Sequence, residues 1–196
     1  TANTEFELLT GNNLGFLSAG TTAFQLYIHG QMPSLVSNLK AEGYSGNKAM
    51  HPFNPYNYNR PAVYKDFGFT DFIDKFDFPK NVKRVREYIS DEANVDRIIS
   101  EYEKNRKKTD QPFYMYNMTI QNHSPYDKDA ANFKQPIKIE SSKYDAEANR
   151  YLNLIKYSDD SLKQLTSYFE KCKEPTIILF LGDHQPRLTD EFMNKI

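Results

Sequence analysis

The chain has 196 residues, which is enough for one domain with a single sizeable core. Its formal net charge is −1, with 25 basic and 26 acidic residues interspersed, so the sequence carries no electrostatic footprint for nucleic acid or for an anionic membrane surface. The single cysteine, Cys172, excludes an internal disulfide and a thiolate metal cluster, and the sequence has no run of about 20 apolar residues that would span a membrane.

Helical and strand patterns alternate along the chain. Gly11 and Gly43 are expected to end the first two helices, because glycine readily adopts the left-handed conformation found at helix C-termini. Residues 52–79 are dense in Asn, Pro, Tyr and Phe and are predicted to form a long loop, which in a compact domain usually carries function. In chain order the predicted elements are a helix over 2–10, a helix over 31–42, a strand over 46–50, a helix over 91–107, a strand over 113–120, a helix over 145–172 and a strand over 176–181. This alternation predicts an α/β domain with a largely parallel sheet.

The most informative motif follows the last predicted strand. The apolar run over residues 176–181 is typical of a fully buried strand, and the helix before it has Leu152 and Ile155 at core spacing. Gly182, Asp183 and His184 come next, and ligands in open α/β sheets bind at the carboxyl ends of strands. A carboxylate and an imidazole at that edge are suited to hold a metal ion. The alternative is that the aspartate only caps a turn.

Histidines also follow the other predicted strands. His51, His123 and His184 each lie where a predicted strand gives way to a loop. A single histidine at such a position is commonly structural, but three of them indicate that one edge of the sheet is a polar site. His123 and Arg60 are suited to bind an anion there, because a guanidinium offers a planar fork to phosphate or sulfate oxygens.

Thr1 permits two interpretations. As the residue before the helix over 2–10, it is expected to be an N-cap. The functional alternative is a hydroxyl nucleophile, since the N–H groups and the dipole of a helix N-terminus stabilise an alkoxide and the phosphoryl oxygens it attacks. A hydrolase that uses the free amine of Thr1 is a further alternative that rests only on the numbering. The loop aromatics Phe53, Tyr56 and Tyr58 either line a pocket or cover the core.

Together these segments resemble the lipoteichoic acid synthase and phosphoglycerol transferase family of the sulfatase and alkaline-phosphatase superfamily. The matches keep the order of the family and extend over essentially the whole chain. The matching segments are Thr1-Ala2-Asn3-Thr4-Glu5-Phe6, the stretch from His51 to Tyr58-Asn59-Arg60, Tyr64 with Gly68-Phe69-Thr70-Asp71-Phe72, Gln121-Asn122-His123-Ser124-Pro125-Tyr126, and Gly182-Asp183-His184.

The resemblance implies a role for each matching residue. Thr1 would be the nucleophile and a metal ligand, with Asp183 and His184 as further ligands of Mn²⁺ or, alternatively, Mg²⁺. The family's upstream glutamate ligand has no counterpart in this sequence, and Phe53 replaces an acidic residue found in some members. The implied substrate contacts are His51, Tyr58 (where some members have Trp), Arg60 and His123.

The implied fold is an alkaline-phosphatase-like (sulfatase-like) α/β/α sandwich with a largely parallel sheet. Residues 1–196 would be part of one catalytic domain, with the upstream strand and the C-terminal portion outside this sequence. The implied activity is phosphoglycerol transfer from a lipid-linked donor to a hydroxyl or polymer acceptor, at the extracellular face of a bacterial membrane, with the membrane anchor outside this chain. Two alternatives stay open: a phosphodiesterase or sulfatase-type hydrolase of the same superfamily, and a non-catalytic ligand-binding domain of the same fold.

Overall fold

The computed structural model describes residues 2–140 and 144–194. Its α-helices are α1 (Ala2–Thr10), α2 (Ala23–Leu26), α3 (Leu35–Ala41), α4 (Arg60–Asp66), α5 (Asp91–Arg106), α6 (Ala146–Phe169) and α7 (Asp190–Met193). Its strands are β1 (Ser45–Met50), β2 (Asp71–Ile73), β3 (Arg84–Val85), β4 (Tyr88–Ile89) and β5 (Phe113–Asn117). Among the described helices, none is both long and apolar enough to cross a membrane.

The described residues form two compact units. The first comprises residues 2–79, 100–118 and 182–184, and the second comprises residues 80–99, 119–140, 144–181 and 185–194. Each unit has its own cluster of buried apolar side chains, so each is described by itself.

The first unit is built on a three-stranded parallel sheet with the order β2-β1-β5. The central strand pairs Ala49 with Phe72 on one side and with Tyr116 on the other. Because all three strands run in the same direction, their carboxyl ends meet at one edge of the sheet, where open α/β sheets bind ligands. The predicted parallel sheet and the predicted α/β class are therefore confirmed.

Helix α1 packs its apolar face into the core of the first unit. Ala2, Phe6 and Leu9 recur at helical spacing and are buried, as the amphipathic pattern predicts. The helix ends before Gly11, whose φ of 70° lies in the left-handed region and whose N–H donates to the Glu7 carbonyl. The rest of this core is rich in aromatic rings that meet edge to face, centred on Tyr64.

The second unit contains the antiparallel hairpin β3-β4 and the long helix α6. Asp145 caps α6 by accepting a hydrogen bond from the Ala148 N–H. Asn153 is fully buried and exchanges two hydrogen bonds with the backbone of Ile137. The irregular segment before α6 thus satisfies its backbone groups on a helix side chain, which no periodicity in the sequence indicates.

The prediction that residues 52–79 form only a loop is wrong. Helix α4 and strand β2 lie within this segment, together with two short 3₁₀ helices. Pro61 occupies the first turn of α4, where the backbone N–H groups have no intrahelical partner, so the proline does not break the helix. The density of Asn and Pro therefore marked helix starts and turns rather than one long loop.

The predicted apolar face of α6 is only partly correct. Leu152 and Ile155 are both exposed, whereas Leu154 and Asn153 are buried. The buried stripe of this helix includes polar side chains that bind neighbouring backbone, so a pattern based on apolar residues alone points to the wrong side.

The prediction of a buried strand over residues 176–181 is also wrong. The run is irregular, Ile177 is 97% exposed, and Leu179 and Phe180 lie mostly in solvent. A buried strand needs a neighbouring strand for its backbone and cover for both faces. The sheet formed by the described residues, β2-β1-β5, does not extend to this run.

Candidate active site

His51 lies directly after the central strand β1, at the carboxyl edge of the sheet. The His51 side chain is buried, and its Nδ1 donates to the Met118 carbonyl, 3.1 Å away, just beyond the end of β5. Its backbone N–H donates to the Ile73 carbonyl at the end of β2. His51 therefore connects the ends of all three strands, and the sequence placed it correctly at this edge.

Arg60 forms a buried cluster with Glu5 and Tyr64. The Arg60 guanidinium donates hydrogen bonds from Nε and Nη2 to the Glu5 carboxylate, with an Nη2–Oε1 distance of 2.6 Å. The Tyr64 hydroxyl donates to the second oxygen of the same carboxylate. All three side chains are at most 3% exposed. The fork of Arg60, which the sequence assigned to phosphate, is engaged here by Glu5, whereas Nη1 donates to the Asn57 carbonyl.

The neighbouring Glu5 side chain shifts the pKa values of both Arg60 and Tyr64. Burial lowers the pKa of Arg60, but the hydrogen bonds and charge of Glu5 outweigh it and hold the pKa above its ordinary value. Burial and the charge of Glu5 raise the pKa of the Tyr64 hydroxyl well above its ordinary value. Arg60 therefore stays charged and Tyr64 stays a hydrogen-bond donor.

The two residues before Arg60 adopt a strained backbone. Tyr58 and Asn59 have φ values of 59° and 55°, in the left-handed region that non-glycine residues rarely occupy. Asn tolerates this region, but for Tyr58 the cost is on the order of 1 kcal/mol or more. The half-exposed Tyr58 ring lies 5.1 Å from the guanidinium carbon of Arg60. Strain of this kind clusters at functional sites, and the role of Tyr58 as a substrate contact stays a prediction.

Asp183 and His184 lie side by side and contact helix α1. His184 Nε2 is 3.5 Å from Asp183 Oδ2, and both side chains are partly exposed. The Thr4 hydroxyl, in the first turn of α1, donates to the Asp183 carbonyl at 2.7 Å. The Asp-His motif therefore adjoins the start of the helix that Thr1 precedes in the sequence. Thr1 itself lies outside the described residues.

The donor atoms of this pair fit a divalent cation. Carboxylate oxygen suits Mn²⁺ and Mg²⁺, and imidazole nitrogen is a common ligand of transition metals. Within residues 2–140 and 144–194, no group of three or more His, Cys, Asp and Glu side chains is arranged to hold a metal. The predicted ligand Thr1 is outside that range.

His123 belongs to the second unit. Its side chain is exposed, and its Nδ1 donates to the Ser124 carbonyl at 2.7 Å. The preceding residue, Asn122, donates from Nδ2 to the Ser158 hydroxyl on α6. The Asn-His segment is thus anchored through Asn122, and the exposed imidazole meets the Tyr88 ring edge to face, with 6.3 Å between the ring centres.

A buried aspartate supports this segment and was missed by the sequence analysis. Asp91, at the start of α5, accepts hydrogen bonds at Oδ2 from the Ser158 hydroxyl and from Gln121 Nε2. Its Oδ1 is buried and has no hydrogen-bond partner in the described part of the chain. Burial raises the pKa of Asp91 to about 6, partly opposed by the Ser158 hydrogen bond.

We expect Asp91 to make stability depend on pH. A carboxyl group whose pKa is raised in the folded state favours folding at low pH, and this contribution is lost as the pH rises through its folded pKa of about 6. The wild type should therefore lose up to about 3 kcal/mol of its free energy of unfolding between pH 4 and pH 7.5, and Asp91→Asn should not show this loss. Urea unfolding at several pH values measures this, with the exposed neighbour Glu92→Gln as control. Parallel pH curves for wild type and Asp91→Asn would contradict the prediction.

Comparison with known proteins shows the family of this chain. A family model described as Sulfatase matches residues 1–194, so the chain belongs to the sulfatase family. A Rhizobium meliloti protein named for cyclic β-1,2-glucan modification is 37% identical over 191 residues, which cover 96% of this chain and 29% of the relative. The chain therefore spans less than a third of that relative's length.

Two solved structures share the fold. The lipoteichoic acid synthase LtaP from Listeria monocytogenes has a TM-score of 0.72 and 25% identity, over 86% of this chain and 40% of that chain. The Streptococcus pyogenes phosphoglycerol transferase GacH, solved with sn-glycerol-1-phosphate, has a TM-score of 0.76 and 23% identity, over 99% of this chain and 51% of that chain. The resemblance to lipoteichoic acid synthases and phosphoglycerol transferases that the motifs indicated is confirmed, as is the fold of the superfamily.

Proposed function

We propose that this chain carries the catalytic groups of a metal-dependent phosphoglycerol transferase with Thr1 as nucleophile. The observation that carries the proposal is the contact of the Asp183–His184 pair with the first turn of α1, made through the Thr4 hydroxyl. This contact associates the two predicted metal ligands with the helix start that Thr1 precedes in the sequence. In this proposal, residues 1–196 are part of one sulfatase-like catalytic domain.

The reaction consists of two displacements at phosphorus. The Thr1 oxygen loses its proton and attacks the phosphorus of the lipid-linked phosphoglycerol, and the bond from phosphorus to the lipid alkoxide breaks. The lipid oxygen takes up a proton and leaves, with phosphoglycerol held on Thr1. An acceptor hydroxyl then attacks the same phosphorus, gives up its proton, and releases Thr1.

The other residues hold and neutralise the phosphoglycerol group. Asp183, His184 and the Thr1 oxygen would bind a divalent cation, Mn²⁺ in preference to Mg²⁺ because of the imidazole, and members of this superfamily generally depend on such metals. When bound, the cation supplies charge neutralisation at the phosphoryl oxygens and favours the ionised threonine. Arg60 would contribute its remaining Nη1 hydrogen to a phosphate oxygen. The remaining proposed contacts with the phosphoglycerol group are His51, Tyr58 and His123.

The acceptor is inferred from the relatives. LtaP is named a lipoteichoic acid synthase, whereas the relative that is 37% identical is named for glucan modification. Both names are consistent with transfer to a hydroxyl of a polymer, and the second favours a carbohydrate hydroxyl. The donor would be a phosphoglycerol-bearing lipid, and the reaction would take place at the extracellular face of a bacterial membrane to which the intact protein is anchored by segments outside this chain.

The proposal predicts metal-dependent release of diacylglycerol from phosphatidylglycerol. We expect the intact protein to release diacylglycerol from fluorescent phosphatidylglycerol vesicles, to lose at least about 100-fold in rate after dialysis against EDTA, and to recover with Mn²⁺. Asp183→Asn should raise the Mn²⁺ concentration for half-maximal rate at least about tenfold and lower the bound manganese measured by mass spectrometry.

The matched control is Asp190→Asn, which changes an exposed aspartate at the start of α7. It should leave both the rate and the metal content unchanged. Transfer to a cyclic glucan, to a glycerol phosphate polymer and to water should be compared by following the label into each product. Full turnover in the absence of metal, or products formed only with water, would contradict a metal-dependent transferase.

A further inference from the structure

Arg86 stands at a backbone position that does not suit arginine. It is the first of two residues that connect β3 to β4, since Val85 pairs with Tyr88 across the hairpin. Its φ is 55°, in the left-handed region. Two-residue hairpin turns of this kind favour Gly, Asn or Asp, because these residues adopt positive φ at little cost. The backbone conformation therefore does not explain an arginine at this position. The contacts of the Arg86 side chain are the alternative reason.

The Arg86 guanidinium binds three carbonyl oxygens of one loop. Nη2 donates to the carbonyls of Gln121 and His123, at 2.7 and 2.8 Å, and Nη1 donates to the carbonyl of Pro125. These are alternate residues of the Gln121–Pro125 segment, so one planar group fixes every second peptide of the loop. His123 is the middle residue of the three.

The surroundings of Arg86 hold the guanidinium in place without a salt bridge, and the charges of Glu87 and Asp127 act on it without direct contact. The side chain is 9% exposed and lies over the rings of Tyr88 and Tyr126, at 5.3 and 5.7 Å from their centres. No acidic side chain in the described part of the chain makes a salt bridge with it. Its hydrogen bonds thus go to loop carbonyls rather than to a carboxylate, which is unusual for a buried cation.

The geometry points to Arg86 as the positioning residue for His123, one that fixes the main chain of the Gln121–Pro125 loop and thereby presents the imidazole in one orientation. Arg86 binds the main-chain carbonyl of His123, whereas the exposed His123 ring donates to the Ser124 carbonyl and meets the Tyr88 ring edge to face. The Tyr88 hydroxyl donates to the Ser124 carbonyl, so side chains of the hairpin β3-β4 form hydrogen bonds with four carbonyls of the loop. This inference rests on the proposed function where it assigns His123 to the phosphoglycerol group.

Two variants distinguish the effect of the Arg86 guanidinium hydrogen bonds from the effect of its strained backbone. Arg86→Lys keeps the charge but cannot bind three carbonyls in one plane. Arg86→Asn removes the guanidinium but suits the left-handed turn, so the hairpin should still form. Arg150→Lys is the matched control, because Arg150 lies in the same unit and donates to the Tyr126 carbonyl, one residue beyond the loop.

The first test does not require activity. In protein labelled with ¹³C-histidine, His123 should give one sharp ring resonance in the wild type, assigned by its disappearance in His123→Gln. In Arg86→Lys and Arg86→Asn this resonance should shift or broaden, whereas those of His29, His51 and His184 stay in place and Arg150→Lys changes none. An unaltered His123 resonance in both Arg86 variants would overturn the inference whether or not the protein turns over phosphoglycerol lipid.

The second test is a double-mutant cycle on diacylglycerol release. Arg86→Lys should raise KM for phosphatidylglycerol by about tenfold, and it should have less than about a twofold effect when His123 is already Ala, because a positioning residue acts only through the group it positions. Equal effects in both backgrounds would mean that Arg86 acts on the fold in general and would overturn the inference. Wild-type kinetics in His123→Ala would instead contradict the substrate role of His123, and the resonance test would then decide the positioning role alone.

Discussion

Thr1→Ala is expected to abolish phosphoglycerol transfer while leaving the fold intact. If Thr1 is the nucleophile, its loss removes the covalent path and one metal ligand, and the rate should fall by at least about 10³-fold. If Thr1 is only an N-cap, its loss should cost about 1 kcal/mol of stability and leave turnover in place. Kinetics together with thermal melting of the intact protein therefore separate the two interpretations of Thr1.

Thr10→Ala is the matched control, because it makes the same substitution at the other end of α1, where the hydroxyl donates to the Phe6 carbonyl and accepts from the Asn12 N–H. This variant should keep wild-type turnover. With acceptor withheld, mass spectrometry of the wild type should detect phosphoglycerol on Thr1, and Thr1→Ala should show none. Retained activity in Thr1→Ala would remove the central claim of the proposed mechanism.

The elements that the sequence predicts correctly are those whose reasons are local. Helix α1 follows from Ala2, Phe6 and Leu9 at helical spacing and from Gly11 at its end. The strand β1 was predicted over residues 46–50, although only Ala49 and Met50 in it are apolar and fully buried. The run over 176–181 has a stronger strand pattern than β1, yet it is exposed. The composition of a segment indicates its propensity to form a strand. Whether it pairs into a sheet depends on strands that are distant in sequence.

The candidate site shows the same division. Asp183 and His184 were found because a carboxylate and an imidazole follow an apolar run, and they adjoin α1 even though the run is not a strand. Glu5, Asp91 and Arg86 were missed, because each acts through a partner that is 30 or more residues away. For Glu5 the sequence does contain a signal. It lies at helical spacing between Ala2 and Leu9, on the apolar face of α1, and a lone acid on such a face indicates a buried cation.

Substitutions in the buried Glu5–Arg60 pair are expected to rank in one order for stability and in the opposite order for turnover. Glu5→Gln leaves the Arg60 guanidinium buried without its carboxylate and should destabilise the protein by about 3–5 kcal/mol. Arg60→Lys keeps a positive charge beside Glu5 and should cost less, about 1–3 kcal/mol, because hydrogen bonds but not the counter-charge are lost. Turnover should show the opposite order, because only Arg60→Lys removes the planar group proposed to contact the phosphate, at a cost of about 10²-fold in kcat/KM.

Two measurements test this reversal of order. They are urea unfolding and diacylglycerol release, both at a temperature where both variants are folded. Glu92→Gln serves as the control, because Glu92 pairs with Lys83 at the exposed surface and its loss should change stability by less than about 1 kcal/mol. If Arg60 holds Glu5 and nothing else, the two variants will rank in the same order for stability and for kcat/KM. A reversal of order requires that the Arg60 guanidinium act on the substrate as well, because the loss of a purely structural ion pair lowers turnover only as far as it lowers the folded fraction.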